Sequence, residues 1–370
     1  MRILFLSKSY PPTLGGIEKQ NYELAQALGK ITPTTIIANT RGKKFLPLFL
    51  PYVFFKALFQ LKKHDVILVG DGVLAPIAFA LSIFTPNKTY ASVIHGLDIT
   101  FAQKETLFGK IYRHVNIPSL KNLDILISVG NETIERAVEA GIPREKCIFI
   151  PNGIEADHVV AQRSRNDLQS LLERDLEGRF VILRVGRYVE HKGVEWFLQN
   201  VMTLLPENVI FVGAGGVVSS KKAGDADFFP RCQKAVQKNN LKDRAHLLTN
   251  LPWKDMQTLL NTADLVVSPN IPVQGSMEGF GLNAIEAGAC SRVVLASNLE
   301  GLKDAIKDQE NGILVEPENP QAWAEKIQVF LEDENARVQL GKDAHDYVLK
   351  HFTWDRIAQE YLQALKEKQS

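Results

Sequence analysis

A chain of 370 residues exceeds what one ordinary core covers and points to two domains of about 150–200 residues each. With 45% hydrophobic and 23% charged residues it is globular in composition, and a formal net charge of +1 supplies no overall field for nucleic acid. Cys147, Cys232 and Cys290 lie far apart with no CxxC pair, which argues against a disulfide framework or a zinc site and for a reducing, cytoplasmic setting.

Residues 2–7 (RILFLS) read as a buried strand from the start, too short for the apolar stretch of a signal peptide. Further strands are expected at 35–38, 65–69 (DVILV), 90–94, 124–129 (DILISV) and 147–150, with helical apolar spacing at 17–29 and 132–140. Pro151-Asn152-Gly153 closes this block, and the polar residues 161–166 read as a linker. The alternation then restarts. Strands are expected at 180–185 (FVILRV), 208–212, 245–248, 264–268 (DLVVS), 293–296 and 312–315, and helices at 193–205, 228–239, 254–262, 282–289 and 320–331. The expected class is α/β, with two tandem Rossmann-like, doubly wound parallel sheets and a ligand site in the cleft between them. The expected domains are 1–160 plus the C-terminal helix 346–370, and 161–345. In that last helix Trp354, Ile357, Tyr361, Leu362 and Leu365 form one stripe, suited to packing on the first domain. No run reaches the ~18 uninterrupted apolar residues of a membrane span.

The most informative segment is 276–288, SMEGFGLNAIEAG, after the strand DLVVS. Its glycines let the backbone turn and approach a ligand closely, and the amides of Phe280, Gly281 and Leu282 then open a helix, an arrangement that favours phosphate. Glu286 lies about 7–8 Å further along the helix, roughly the reach from a diphosphate to the vicinal hydroxyls of a ribose. Glu278, before the helix, is suited to the sugar side. The plain alternative is a helix-entry carboxylate and a solvated one. Residues 185–193, VGRYVEHKG, bring Arg187 and Lys192 to one short loop after the strand FVILRV, so both cations can reach one anion. The alternative there is an ordinary surface loop.

In the first half, Gly15 and Gly16 in YPPTLGGIE precede a helix, either as a simple turn or as a phosphate contact; the GxGxxG fingerprint is absent. His95 in HGLD follows strand 90–94 and could meet a transferred sugar, with Asp98 nearby to orient the loop, or be a satisfied structural histidine. Residues 41–63 (RGKKFLPLFLPYVFFKALFQLKK) are apolar with lysines at both ends. They read either as a membrane-surface segment bringing a lipid-linked acceptor or, preferred here, as a buried helix at 52–61 with solvated ends. Asp225-Ala-Asp227 spells a metal motif in a lysine-rich loop with no strand leading to it, and reads as structural.

Together these motifs resemble the retaining glycosyltransferases of the two-Rossmann-domain (GT-B) type, family 4, glycosyl transferases group 1. GGIE, HGLD, PNGIE at 151–155, GRYVEHKG and EGFGLNAIEA match in order over essentially the whole chain. The resemblance implies transfer of a hexosyl unit, with retention, from a UDP- or GDP-sugar to a glycan or lipid-linked acceptor in cell-envelope polysaccharide or glycolipid synthesis. No cofactor or metal is implied, and no nucleic acid. It implies that Gly15, Gly16, Arg187 and Lys192 meet the diphosphate, Glu286 the ribose, Glu278 the sugar hydroxyls and His95 the region of the reacting carbon. The location implied is cytoplasmic, at most peripheral on the inner membrane face. The chain departs from the family at Thr249-Asn250-Leu251-Pro252-Trp253, near the expected base, and at Pro269-Asn270 with its longer following loop. Two other readings keep the same motifs: a nucleotide-sugar-binding subunit without catalysis, and a nucleotide-sugar epimerase.

Overall fold

Strand and helix alternate along the whole chain in the computed structural model, which describes residues 1–12, 15–103, 105–217 and 228–369. The chain divides into two units: 1–153 with 275–280 and 352–370, and 154–274 with 281–351.

The first unit carries β1 (Ile3–Ser7), α1 (Gly16–Ile31), β2 (Thr34–Ala38), α2 (Leu46–Gln60), β3 (Val66–Val69), α3 (Ala75–Phe84) and β4 (Thr89–Ile94). It continues through α4 (Gly96–Thr100), α5 (Leu107–Asn122), β5 (Ile125–Ser128), α6 (Asn131–Glu139) and β6 (Cys147–Phe149). All six strands are parallel, in the order β2-β1-β3-β4-β5-β6. Strands covered by helices on both faces must be apolar throughout, and β1, β3, β4 and β5 are buried at every position. The chain leaves β1 toward β2 on one side and returns to β3 on the other. The direction of winding therefore reverses between β1 and β3, which opens a crevice at their carboxyl ends.

The second unit begins with a short helix α7 (Ala156–Val159) and α8 (Arg165–Leu172); the linker expected over 161–166 is irregular through Ser164 and gives way to α8 at Arg165. A capping box explains the difference: Ser164 caps the Asp167 amide while the Asp167 carboxylate accepts from the Ser164 amide. There follow β7 (Phe180–Val185), α9 (Val194–Asn200), β8 (Val209–Gly215), α10 (Phe228–Lys238), β9 (Ala245–Thr249), α11 (Trp253–Thr262) and β10 (Leu265–Ser268). The unit ends with α12 (Leu282–Ala289), β11 (Val294–Ser297), α13 (Leu302–Ala305), β12 (Ile313–Val315), α14 (Pro320–Glu332) and α15 (Glu334–His351). Its parallel sheet has the order β12-β11-β10-β7-β8-β9, so its reversal lies between β7 and β10. The expected helix 193–205 ends at Asn200 and tightens into a 3₁₀ turn over Met202–Leu204. All three cysteines are free and buried.

The last helix, α16 (Trp354–Glu367), belongs to the first unit and packs on α1. Trp354, Ile357, Tyr361 and Leu365 of its predicted stripe are buried, and the Trp354 indole N–H donates to Glu23 on α1 at 2.5 Å.

Helix α2 departs from expectation. It begins at Leu46, six residues before the predicted start, and it is not a buried helix. Only Phe49, Val53 and Ala57 are buried, with Leu46, Leu50, Phe54 and Leu58 partly buried against the same core. Leu48, Tyr52, Phe55 and Phe59 face outward, Phe59 at 79% exposure. With its flanking 3₁₀ turns the helical stretch Lys43–Lys63 is, by length and composition, long and apolar enough to cross a membrane, and most of it is not buried. An all-round apolar helix has no face for solvent, so periodicity alone could not say which side the sheet takes.

Candidate functional site

In each unit the residues singled out from the sequence lie at the carboxyl ends of the strands, around the reversal point. In the second unit Arg187 follows β7 and is exposed, and Lys192, half-buried, closes the turn that precedes α9. That turn is folded by backbone bonds from the Lys192 amide to the Val189 carbonyl and from Gly193 to Glu190, each 3.0 Å. Gly193 has φ +69°, a left-handed conformation that strains any other residue, and a Cβ there would lie 1.7 Å from the Pro269 carbonyl oxygen. The Ile271 amide donates to the His191 carbonyl at 3.0 Å. The segments leaving β7 and β10 are thus sewn together across the reversal point.

Helix α12 starts beside them. Its N-cap, Gly281, has φ +87° and no side chain with which to cap the first turn, whose Ala284 amide turns back to the Gly281 carbonyl at 2.9 Å. Asn283 ties the helix to the end of β10 by donating to the Ser268 hydroxyl at 2.7 Å. First-turn amides and the helix dipole make the start of α12 attractive to an anion. Glu286, half-buried, lies one turn further along. Arg187, Lys192, Gly281, Leu282 and Glu286 therefore converge on the carboxyl edge of one sheet. Trp253, in the divergent 249–253 stretch, stacks on His158 with ring centroids 4.6 Å apart and planes 7° apart. One face of the indole is therefore already covered.

In the first unit His95 is buried at the end of β4, its Nε2 3.2 Å from the Gly70 carbonyl. Asp98 holds this turn: its Oδ2 accepts from the His95 amide at 3.0 Å and from the Gly72 amide at 3.1 Å. The exits of β3 and β4 are thereby joined through one carboxylate. Segment 275–280 belongs to this unit. A Cβ on Gly96 would lie 2.4 Å from the Met277 sulfur, so Met277 packs directly on the HGLD turn and brings its neighbour Glu278 toward it. Phe280 is buried with its ring 5.6 Å from Phe352, leaving its backbone as the part that could meet a ligand. Gly15 and Gly16 are exposed at the start of α1, where the Glu18 carboxylate folds back over Gly15.

Sequence reasoning missed a charged cluster between the exits of β1 and β3. The fully buried Asp71 accepts from Lys8 Nζ at 3.3 Å and from the Val73 amide at 3.1 Å through Oδ1. Burial pushes the Asp71 carboxyl up, with the Lys8 charge opposing. Burial lowers the Lys8 ammonium, but the charges of Asp71 and Asp98 outweigh it and the net shift is upward. Tyr112, also buried, is raised well above its usual range by burial and then by Asp98 and Asp71. No motif marks these residues; the reversal of winding between β1 and β3 is the signal that could have found them. Asp225 and Asp227 lie outside the described residues.

Residues 173–347 match the family model for glycosyl transferases group 1. The match begins and ends within the second unit. It is 30% identical over 247 residues to the N,N'-diacetylbacillosaminyl-diphospho-undecaprenol alpha-1,3-N-acetylgalactosaminyltransferase of Campylobacter jejuni, covering 66% of this chain and 60% of that protein. It is 34% identical over 127 residues to the D-inositol 3-phosphate glycosyltransferase of Salinispora tropica, covering 34% of this chain and 25% of that one. The matched stretches thus span between 25% and 60% of these curated relatives. Sucrose-phosphate synthase from Thermosynechococcus elongatus superposes with a TM-score of 0.78 at 22% identity, covering 99% of both chains. HepE of Anabaena, in complex with UDP, gives 0.76 at 19%, covering 99% of this chain and 100% of that one. These likenesses establish the fold, GT-B.

Proposed function

We propose that the chain is a glycosyltransferase that moves a hexosyl unit from a nucleotide-diphosphate sugar to a hydroxyl of a glycan or lipid-linked acceptor, retaining the anomeric configuration. The observation that carries this reading is the convergence of Arg187, Lys192, the start of α12 and Glu286 at the reversal point of the second sheet. Two cations and a helix N-terminus match a diphosphate whose charge grows as it leaves, and a carboxylate one turn on matches ribose hydroxyls. In this reading Gly15 and Gly16 add amides for the diphosphate, Glu278 accepts from sugar hydroxyls, and His95 meets the sugar near the reacting carbon. The donor phosphate takes the acceptor's proton. Because Arg187 and Lys192 neutralise the diphosphate, no metal is required. The names of the Campylobacter and Salinispora relatives, which act on a lipid-linked sugar and an inositol phosphate, support the acceptor class. The test is incubation of the purified chain with UDP- and GDP-hexoses and an undecaprenyl-diphosphate sugar. Transfer with retained configuration, surviving excess EDTA, is expected; donor epimerisation without acceptor, or binding without turnover, would replace the reading.

The exposed face of α2 supports a finer statement, that the protein works peripherally on an anionic membrane. Phe54 stands 5.4 Å from Phe55 and 6.3 Å from Phe84 at the end of α3, so the apolar face extends beyond one helix. Lys43, Lys44, Lys62 and Lys63 lie at its two ends, and Lys56 reaches over the Tyr52 ring at 5.2 Å. Aromatic side chains among lysines suit the boundary between headgroups and acyl chains.

A further inference from the structure

Arg184 sits in β7 among Phe180, Val181, Ile182, Leu183 and Val185, and is 1% exposed. Guanidinium groups are almost never this deeply buried unless they are held by partners. Here Nη1 donates to the main-chain carbonyls of Gly186 and Arg187, the latter at 3.2 Å. These two residues turn the chain out of β7. The flanking amides are committed to the next strand and its continuation: Gly186 donates to Ala214 at 2.9 Å, and Tyr188 to Gly216 at 3.0 Å. The turn is therefore fixed from both sides, its amides by β8 and its carbonyls by one buried cation. A strand interior gains nothing from an arginine, and a leucine would fill the place without a desolvation penalty. What the arginine supplies is one Nη1 group that donates to two carbonyls of the turn, which no apolar side chain could do.

We propose that Arg184 is a positioning residue for the donor diphosphate, acting through Arg187, whose carbonyl it holds. The inference rests on the reading of Arg187 as a diphosphate ligand. It names a residue that lies in no recognisable motif and touches no substrate.

The experiment is titration of wild type, Arg184→Met, Arg184→Gln, Arg187→Ala and the Arg184→Met/Arg187→Ala double variant with UDP and GDP, and with uridine and guanosine as uncharged probes. Arg184→Met keeps the length and loses the donor to both carbonyls, and should weaken diphosphate binding about tenfold. Nucleoside binding should stay within about twofold, a selectivity that general loosening of the unit would not give. Because Arg184 acts through Arg187, the double variant should bind the diphosphate no more than about twofold more weakly than Arg187→Ala alone. Arg184→Gln retains one donor without charge and should weaken diphosphate binding in the same selective way, which decides the matter if the methionine variant does not fold. Unchanged diphosphate affinity in either folded variant, or multiplying effects in the double variant, would overturn the proposal. Unchanged affinity in Arg187→Ala would overturn the donor-site reading itself.

Discussion

Gly193 lies so close to Pro269 that a Cβ would stand 1.7 Å from the proline's carbonyl oxygen. The contact joins the exits of β7 and β10 next to Lys192, and it combines with a left-handed φ of +69°. Gly193→Ala must therefore strain its own backbone and push Pro269 away. We expect a loss of about 2–4 kcal/mol in stability, read by denaturant unfolding, together with weaker UDP or GDP binding. Unfolding and binding indistinguishable from wild type would contradict the contact.

Lys192→Ala and Glu278→Ala should each lower turnover by about 10²–10³ while thermal unfolding stays near that of wild type. Neither side chain is deeply buried, so neither substitution opens a core cavity. The two should differ in kind. Loss of Lys192 should weaken binding of the nucleoside diphosphate alone, whereas loss of Glu278 should leave that binding intact and act only with the sugar attached. Full activity in either variant removes that residue from the site.

Met277 against Gly96 gives a reciprocal test. Gly96→Ala forces the Met277 side chain aside, a displacement of a flexible chain worth about 0.5–1.5 kcal/mol. Activity should fall more than stability, because Glu278 follows Met277 and His95 precedes Gly96. Adding Met277→Ala makes room for the new methyl group, and the double variant should recover activity relative to Gly96→Ala. Additive losses measured across the cycle would mean that the contact does not position Glu278.

Phe55 and Phe59 project from α2, at 58% and 79% exposure. If they enter a bilayer, replacing both with serine should reduce binding to vesicles containing anionic phospholipid by about a hundredfold or more. Stability should hardly change, since neither ring is in the core. Wild type that stays in the supernatant with such vesicles at low salt would rule out the membrane reading.

The strands and glycine turns were legible because their physics is local. An apolar run such as DVILV between polar residues has few alternatives to a buried strand, and EGFGLNAIE states its own helix start. What escaped reading depended on the tertiary fold. Nothing in the run FVILRV shows that the Arg184 guanidinium turns back on the carbonyls of Gly186 and Arg187. Lys8 and Asp71 are 63 residues apart and look like solvated ends of separate strands until β1 and β3 pair. Helix α2 was misjudged because hydrophobicity reports the wish to leave water, not the partner that satisfies it. The affiliation of 275–280 with the first unit has no sequence signature, because it rests on Met277 finding space that a glycine leaves open.

One feature of chain order bears on how the protein is made. Helix α16, which covers α1, lies roughly 200 residues downstream of Gly153, where the first unit's main stretch ends. At translation rates of about 5–20 residues per second, the roughly 320 residues between α1 and Trp354 leave the outer side of α1 uncovered for some 15–65 s before its cover is synthesised. The second unit is complete within that interval, so the part that begins first finishes last. Ribosome-bound chains truncated before Trp354 should therefore expose apolar surface to chaperones, and release of the last helix would be the step that ends that exposure.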